Sequence, residues 1–180
     1  MPDRLSRTVV RGACLSAADS PADAVRAFLI VMAWGYGRVG YGPFRVRRLF
    51  DTTPTADSQL QAAASKLSHG GPVEAYALLG DNGVARLPRL GPAFGTKFLY
   101  FCSPVGGQNA LILDRLVARW LRENTNLALN EARWSVWTYH RYLETMFGWA
   151  SEVDTAADDL EACIFSQQAG LVGNQWATSD

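Results

Sequence analysis

The chain has 180 residues, 48% of them hydrophobic, and its 17 basic side chains balance 17 acidic ones. That is enough chain for one well-buried domain or two small ones, and too apolar for disorder. No apolar run reaches the roughly 18–20 residues of a membrane span, and Cys14, Cys102 and Cys163 are too scattered for a Cys-ligated cluster or zinc finger.

Residues 1–20 show no clear period and read as an N-terminal arm, with a short strand at Thr8–Val10 as an option. No apolar stretch follows the early arginines, so a signal peptide is not expected. A domain is expected over 21–172, with a frayed tail at 173–180. Ser20 and Pro21 open its first helix as N-cap and first-turn residue. Ala24, Phe28, Val31 and Met32 give that helix an apolar face to about Trp34. Trp34–Phe44 (WGYGRVGYGPF) carries four glycines and reads as a loop that permits close backbone approach. One or two helical turns at Val46–Phe50 hold Arg47 and Arg48, with Arg45 just before them.

Helices are expected at Asp57–Leu67, at Val73–Leu79 after Gly70-Gly71-Pro72, and at Val84–Leu90. Gly91, Pro92 and Gly95 then form a tight Gly-rich hairpin (about 84–103), whose amides suit a phosphate beside a helix N-terminus. Lys97 is expected at the start of the next helix; it and Lys66 are the chain's two lysines among fifteen arginines. Asp114 stands as the N-cap of a further helix, which places Arg115, Arg119 and Arg122 on one face. That face is either a phosphate-binding strip or an ordinary solvated surface. An aromatic-rich helix begins at Asn130 or Glu131, with His140 at its edge, and a last helix runs from Ala156 to about Gln168. Short helices joined by Gly/Pro turns predict a compact all-α domain.

The residues Gly95-Thr96-Lys97 and Ile112-Leu113-Asp114, followed by a helix with Arg119, resemble the helix-hairpin-helix DNA glycosylases, most closely the 8-oxoguanine DNA glycosylases. The resemblance implies that Lys97 is the amine nucleophile and that Asp114 assists it. It implies DNA contacts from Gly91, Gly95, Thr96, Arg115 and Arg119. The hairpin here, Leu90-Gly91-Pro92-Ala93-Phe94-Gly95, is one residue longer than the Leu-Pro-Gly-Val-Gly common in the family. The last helix looks similar too. Phe165 stands where a phenylalanine stacks on the extruded base, Glu161 replaces a base-reading glutamine, and Phe101 replaces a cysteine on the base's other face. An ionised glutamate only accepts hydrogen bonds, which suits a guanine edge and repels adenine N1. Arg38 and Tyr41, on the glycine loop, are candidates to fill the gap left by the extruded base; packing on the core is the plainer reading of the tyrosine. The typical eukaryotic enzyme has an additional N-terminal β-domain, and this chain reads as a minimal form without it.

The activity implied by the resemblance is that of a bifunctional DNA N-glycosylase and AP lyase. It would excise a damaged or modified purine, 8-oxoguanine first, through a lysine Schiff base. The expected partner is double-stranded DNA with a damaged or modified base. The chain is expected to be a cytoplasmic, nucleoid-associated monomer needing no metal or other cofactor. Three alternatives stay open: a glycosylase for another modified base, as in invading DNA; a non-catalytic hairpin module that only grips phosphate; and a helical bundle that binds a small molecule.

Overall fold

A computed structural model of the chain describes residues 5–37, 40–80, 83–105 and 109–170. Among these residues there are eight helices and no strand. The expected tail at 173–180 lies outside them.

Helix α1 (Arg7–Cys14) starts on Ser6, whose hydroxyl accepts the Val9 amide at 3.3 Å, and it buries Val10 and Cys14. The strand considered at Thr8–Val10 is therefore a helix, because its two core residues are spaced i, i+4. Helix α2 (Pro21–Tyr36) has Ser20 as N-cap, in accord with the sequence, and ends at Gly37, whose φ of 53° favours glycine. It runs through Gly35, so the glycine loop is shorter than expected and α3 begins at Gly42 (Gly42–Thr52). Helix α4 (Ala56–Leu79) is kinked at Gly71, with φ 75°, just before Pro72. It is in effect the two helices expected there.

Val84–Leu90 is not helical. It forms turns, with Ala85 N–H donating to Leu78 O and Leu90 N–H to Leu87 O. Pro88 breaks the run, Arg89 has φ 73°, and a Cβ on Gly83 would collide with the Leu78 carbonyl. The hairpin is thus framed by the second half of α4 and by α5 (Pro92–Cys102), which has Gly91 as N-cap and Pro92 at N1. Helix α5 is central. It packs on α1, α2 and α4, and every residue from Gly95 to Cys102 is buried.

Helices α6 (Arg115–Asn124), α7 (Val136–Glu152) and α8 (Ala157–Gln168) complete the fold, with α8 packed on both α6 and α7. Helix α7 starts later than expected, on Ser135, whose hydroxyl accepts the Thr138 amide at 3.1 Å.

Between α5 and α6 the chain is extended from Ala110 to Leu113 and fully buried, with no sheet partner among the described residues. Buried backbone groups must still be paired. Hydroxyls do this. Ser103 Oγ accepts the Ala110 amide at 2.9 Å, Tyr139 donates to Leu111 O at 2.9 Å, and Tyr142 donates to Ile112 O at 2.7 Å. Thr96 Oγ1 accepts the Leu113 amide at 3.2 Å and lies 3.0 Å from the Leu113 carbonyl. Burial pushes the Tyr139 and Tyr142 hydroxyls above their ordinary pKa, so both remain donors. Tyr142→Phe, which leaves the Ile112 carbonyl unpaired in the core, should cost about 1–3 kcal/mol of stability. Urea unfolding should show a lower midpoint with an unchanged slope.

Candidate active site

The extended segment delivers Asp114 to the N-terminus of α6. Its Oδ1 accepts the Leu116 and Val117 amides at 3.0 and 3.2 Å, and its Oδ2 lies 3.1 Å from Lys97 Nζ. One carboxylate thus caps a helix with one oxygen and meets the amine with the other. A negative charge is favoured at that helix end. The side chains of Lys97 and Asp114 keep 11% and 14% of their exposure, so the pair is sheltered but reachable from solvent.

Lys97 is the sixth residue of α5 and not at its start. The helix begins at Pro92, so the N-terminal dipole expected to act on the amine lies more than a turn away. The surroundings are instead aromatic. Lys97 Nζ is 5.7 Å from the Phe94 ring centroid, and Phe94 stacks on Tyr36 at 4.5 Å. Gly35 makes room for this: a Cβ there would come within 2.6 Å of Phe94 Cε1 and 3.4 Å of Lys97 Cδ.

The other sequence candidates divide. Thr96 is buried and its hydroxyl serves Ala93 and Leu113, so it positions Asp114 and does not reach the surface. Gly95 is buried as well, beside Leu79. Phe101 is wholly buried, with Trp34 against it edge-on at 4.9 Å, so it presents no face to solvent. Phe165 is half-buried. Arg119 forms a two-pronged pair with Glu131 at 3.1 and 2.9 Å, and Arg122 joins the same carboxylate at 3.1 Å. These two guanidinium groups hold the Glu131 carboxyl down to about 2. Arg115 is exposed on the first turn of α6. Tyr41 is 56% exposed and tilts against the equally open Phe44 at 5.4 Å. Arg38 lies outside the described residues.

Glu161 has no exposed surface and pairs with Arg7, Nη2 to Oε2 2.9 Å. Burial pushes its carboxyl up to about 7, which the Arg7 charge offsets only in part. The charges of Asp114 and Lys97 also act on it, in opposite directions.

Sequence reasoning did not find the groove beside the hairpin. It has a volume of about 460 Å³ and is lined by Arg45, Arg86, Arg89 and Arg133 together with Gly91. Arg48 joins Tyr41, Phe44, Arg45 and Arg89 around an adjoining hollow. Arg86 and Arg89 were visible as basic residues before the hairpin, but no local signal pointed to Arg133, in a loop at φ 61°.

The chain thus presents a sheltered lysine–carboxylate pair and, at the hairpin, a separate groove rich in arginine. The model of the family described as "Putative 8-oxoguanine DNA glycosylase OGG-like protein" matches residues 1–165. The chain belongs to that family. No curated protein and no solved structure matched. Membership in the OGG-like family implies a DNA substrate. The match begins at residue 1, so it includes α1, which had the character of a loose arm in the sequence alone.

The Glu161 carboxyl gives a pH prediction. Its folded value, about 7, lies above the ordinary 4.5. The folded chain therefore binds more protons between those values, and the associated stability is present below about pH 4.5 and lost as pH rises toward 7. Urea unfolding at pH 4.5 and 7.5 should show this loss, about 1–3 kcal/mol, in the wild type and not in Glu161→Gln.

Proposed function

We propose that this chain is a DNA N-glycosylase with AP lyase activity, and that it extrudes and excises a damaged or modified purine, 8-oxoguanine first, through a Schiff base on Lys97. The observation that carries this reading is the 3.1 Å contact between Lys97 Nζ and an Asp114 carboxylate that a helix end holds in place.

In this mechanism the free amine of Lys97 attacks C1′ of the extruded nucleotide as the bond from C1′ to the base nitrogen breaks. Asp114 Oδ2 takes the proton that the amine loses and offsets the positive charge growing on the sugar. The departing base takes up a proton from solvent. Opening of the sugar leaves an imine between Nζ and C1′, and β-elimination from it nicks the strand. The base must first leave the stack, which costs a few kcal/mol. Phosphate contacts hold the distorted duplex while it does so. Gly91 at the N-cap of α5, the arginine groove and Arg115 are suited to those contacts. A neutral chain can grip DNA this way because the arginines are gathered on one side of the hairpin.

A second reading, a glycosylase for a different modified base, draws support from Glu161 and Phe101. One is an ion-paired acid and the other is wholly buried, so a base seat built on them would differ from that of the enzymes the sequence resembles.

Borohydride trapping on duplexes carrying 8-oxoguanine, uracil, hypoxanthine, alkylated purines or an abasic site tests the chemistry. A covalent adduct on one substrate is expected. Lys97→Gln should abolish it and lower excision by roughly three orders of magnitude or more. Asp114→Asn should lower excision by about 10²–10⁴-fold. DNA binding without any adduct would leave only a hairpin module that grips phosphate. Arg45→Gln and Arg89→Gln should each reduce the slope of log affinity against log salt by about 1. An unchanged slope in both would remove the groove from the DNA interface.

A further inference from the structure

Arg7 connects the first helix to the interior of the last one. Its Nη2 lies 2.9 Å from Glu161 Oε2, and its guanidinium carbon lies 5.3 Å from the Tyr100 ring centroid and 5.8 Å from that of Trp34. Glu161 Oε1 is buried with no hydrogen-bond partner. The carboxylate therefore sits in an aromatic-walled seat with one acceptor unused. The occupant of the seat is a flat cation.

A guanidinium presents parallel N–H donors in one plane. A purine with adjacent ring and exocyclic N–H groups, as in guanine, presents the same donor pattern on a flat ring. Aromatic walls suit either, the cation by its charge and the base by stacking. The Arg7 side chain keeps 20% of its exposure whereas Glu161 has none, so the arginine reaches solvent and can withdraw from the seat. Asp158, which accepts the Tyr100 hydroxyl at 3.1 Å and pairs with Arg11 at 3.6 Å, offers a second carboxylate close to that route.

We propose that Arg7 is an internal occupant of the base seat at Glu161, and that it withdraws when a purine with two adjacent N–H donors takes its place. Arg7 is then a specificity-determining residue. A base that can replace the two donors leaves the buried carboxylate satisfied. A base with an acceptor at that edge, such as adenine, leaves it facing a lone pair, and the arginine returns. The inference rests on the proposed function in assigning the seat to an extruded base, but its test does not require catalysis.

The test compares guanosine 5′-monophosphate with adenosine 5′-monophosphate by calorimetry at pH 8.5, above the value of about 7 for the Glu161 carboxyl, so that it acts as an acceptor. Their common phosphate cancels, so the difference reports the base. Arg7→Met should bind the guanine nucleotide at least about tenfold more tightly than wild type does, which is the discrimination one two-pronged donor pair supplies. The adenine nucleotide should show no such gain. Glu161→Gln in the Arg7→Met background should remove the preference. Should Arg7→Met fail to fold with its buried carboxylate unpaired, the wild type decides. The ¹⁵N signals of the Arg7 guanidinium should shift on addition of the guanine nucleotide and not of the adenine one. Equal guanine-nucleotide affinity with and without Arg7, or an Arg7 signal unmoved by it, overturns the proposal. So does a loss of excision in a folded Arg7→Met that gains no affinity, since Arg7 would then be a substrate contact. Borohydride trapping separates the two readings. An adduct without the nucleotide effect removes the seat and keeps the glycosylase. The nucleotide effect without an adduct keeps the seat and removes the lysine chemistry.

Discussion

A buried segment with neither helix nor sheet to pair its backbone is the constraint on which the site depends. Residues 110–113 cross the core with their backbone polar groups met by Ser103, Thr96, Tyr139 and Tyr142. An unpaired buried carbonyl costs as much as a lost hydrogen bond, so the register of this segment is tightly specified. Its last residue, Leu113, is tied to α5 by Thr96, one position before Lys97. The next residue is Asp114. A single hydroxyl thus sets the offset between the Lys97 amine and the Asp114 carboxylate. Tyr139 and Tyr142 tie α7 to the same segment.

Chemistry that acts locally was legible in the sequence. Asp114 was readable because an N-cap needs only its own side chain and the next two or three amides, and the structure has it so. Ser20, the Gly71-Pro72 break and Gly170 were readable for the same reason. Misreadings arose where a local pattern had a competing cause. Val84–Leu90 has helical apolar spacing, but Pro88 and the left-handed Arg89 prevent the helix. Lys97 was placed at a helix start although Pro92 already marked the N1 position five residues earlier. The Arg7–Glu161 pair and the groove formed by Arg45 and Arg133 join distant parts of the chain. No periodicity or cap reports such pairings; only the tertiary packing of the helices brings them about.

Net neutrality conceals a strong separation of charge. Arginines surround the hairpin on the outside, while the interior holds Lys97, Asp114, Glu161 and Arg7 in two pairs. Low exposure makes each of these pairs sensitive to the loss of a partner. Glu131 plays the opposite part on the surface. By collecting Arg119 and Arg122 it takes two of the three α6 arginines out of competition for phosphate, so the basic surface is narrower than the sequence suggested and centres on the hairpin.

The two halves of the amine–carboxylate pair differ in freedom. Asp114 is fastened by two amides through one oxygen, while Lys97 meets it through a single contact at the end of a four-carbon stem. In the proposed mechanism, any adjustment to an arriving sugar therefore falls on the lysine. Its amine can pivot from carboxylate to carbon as a tethered arm, while the proton acceptor keeps its place as a fixed post. Much of the entropy of aligning the two groups is lost when the chain folds. The encounter with substrate then requires only a short rotation about the lysine's own bonds.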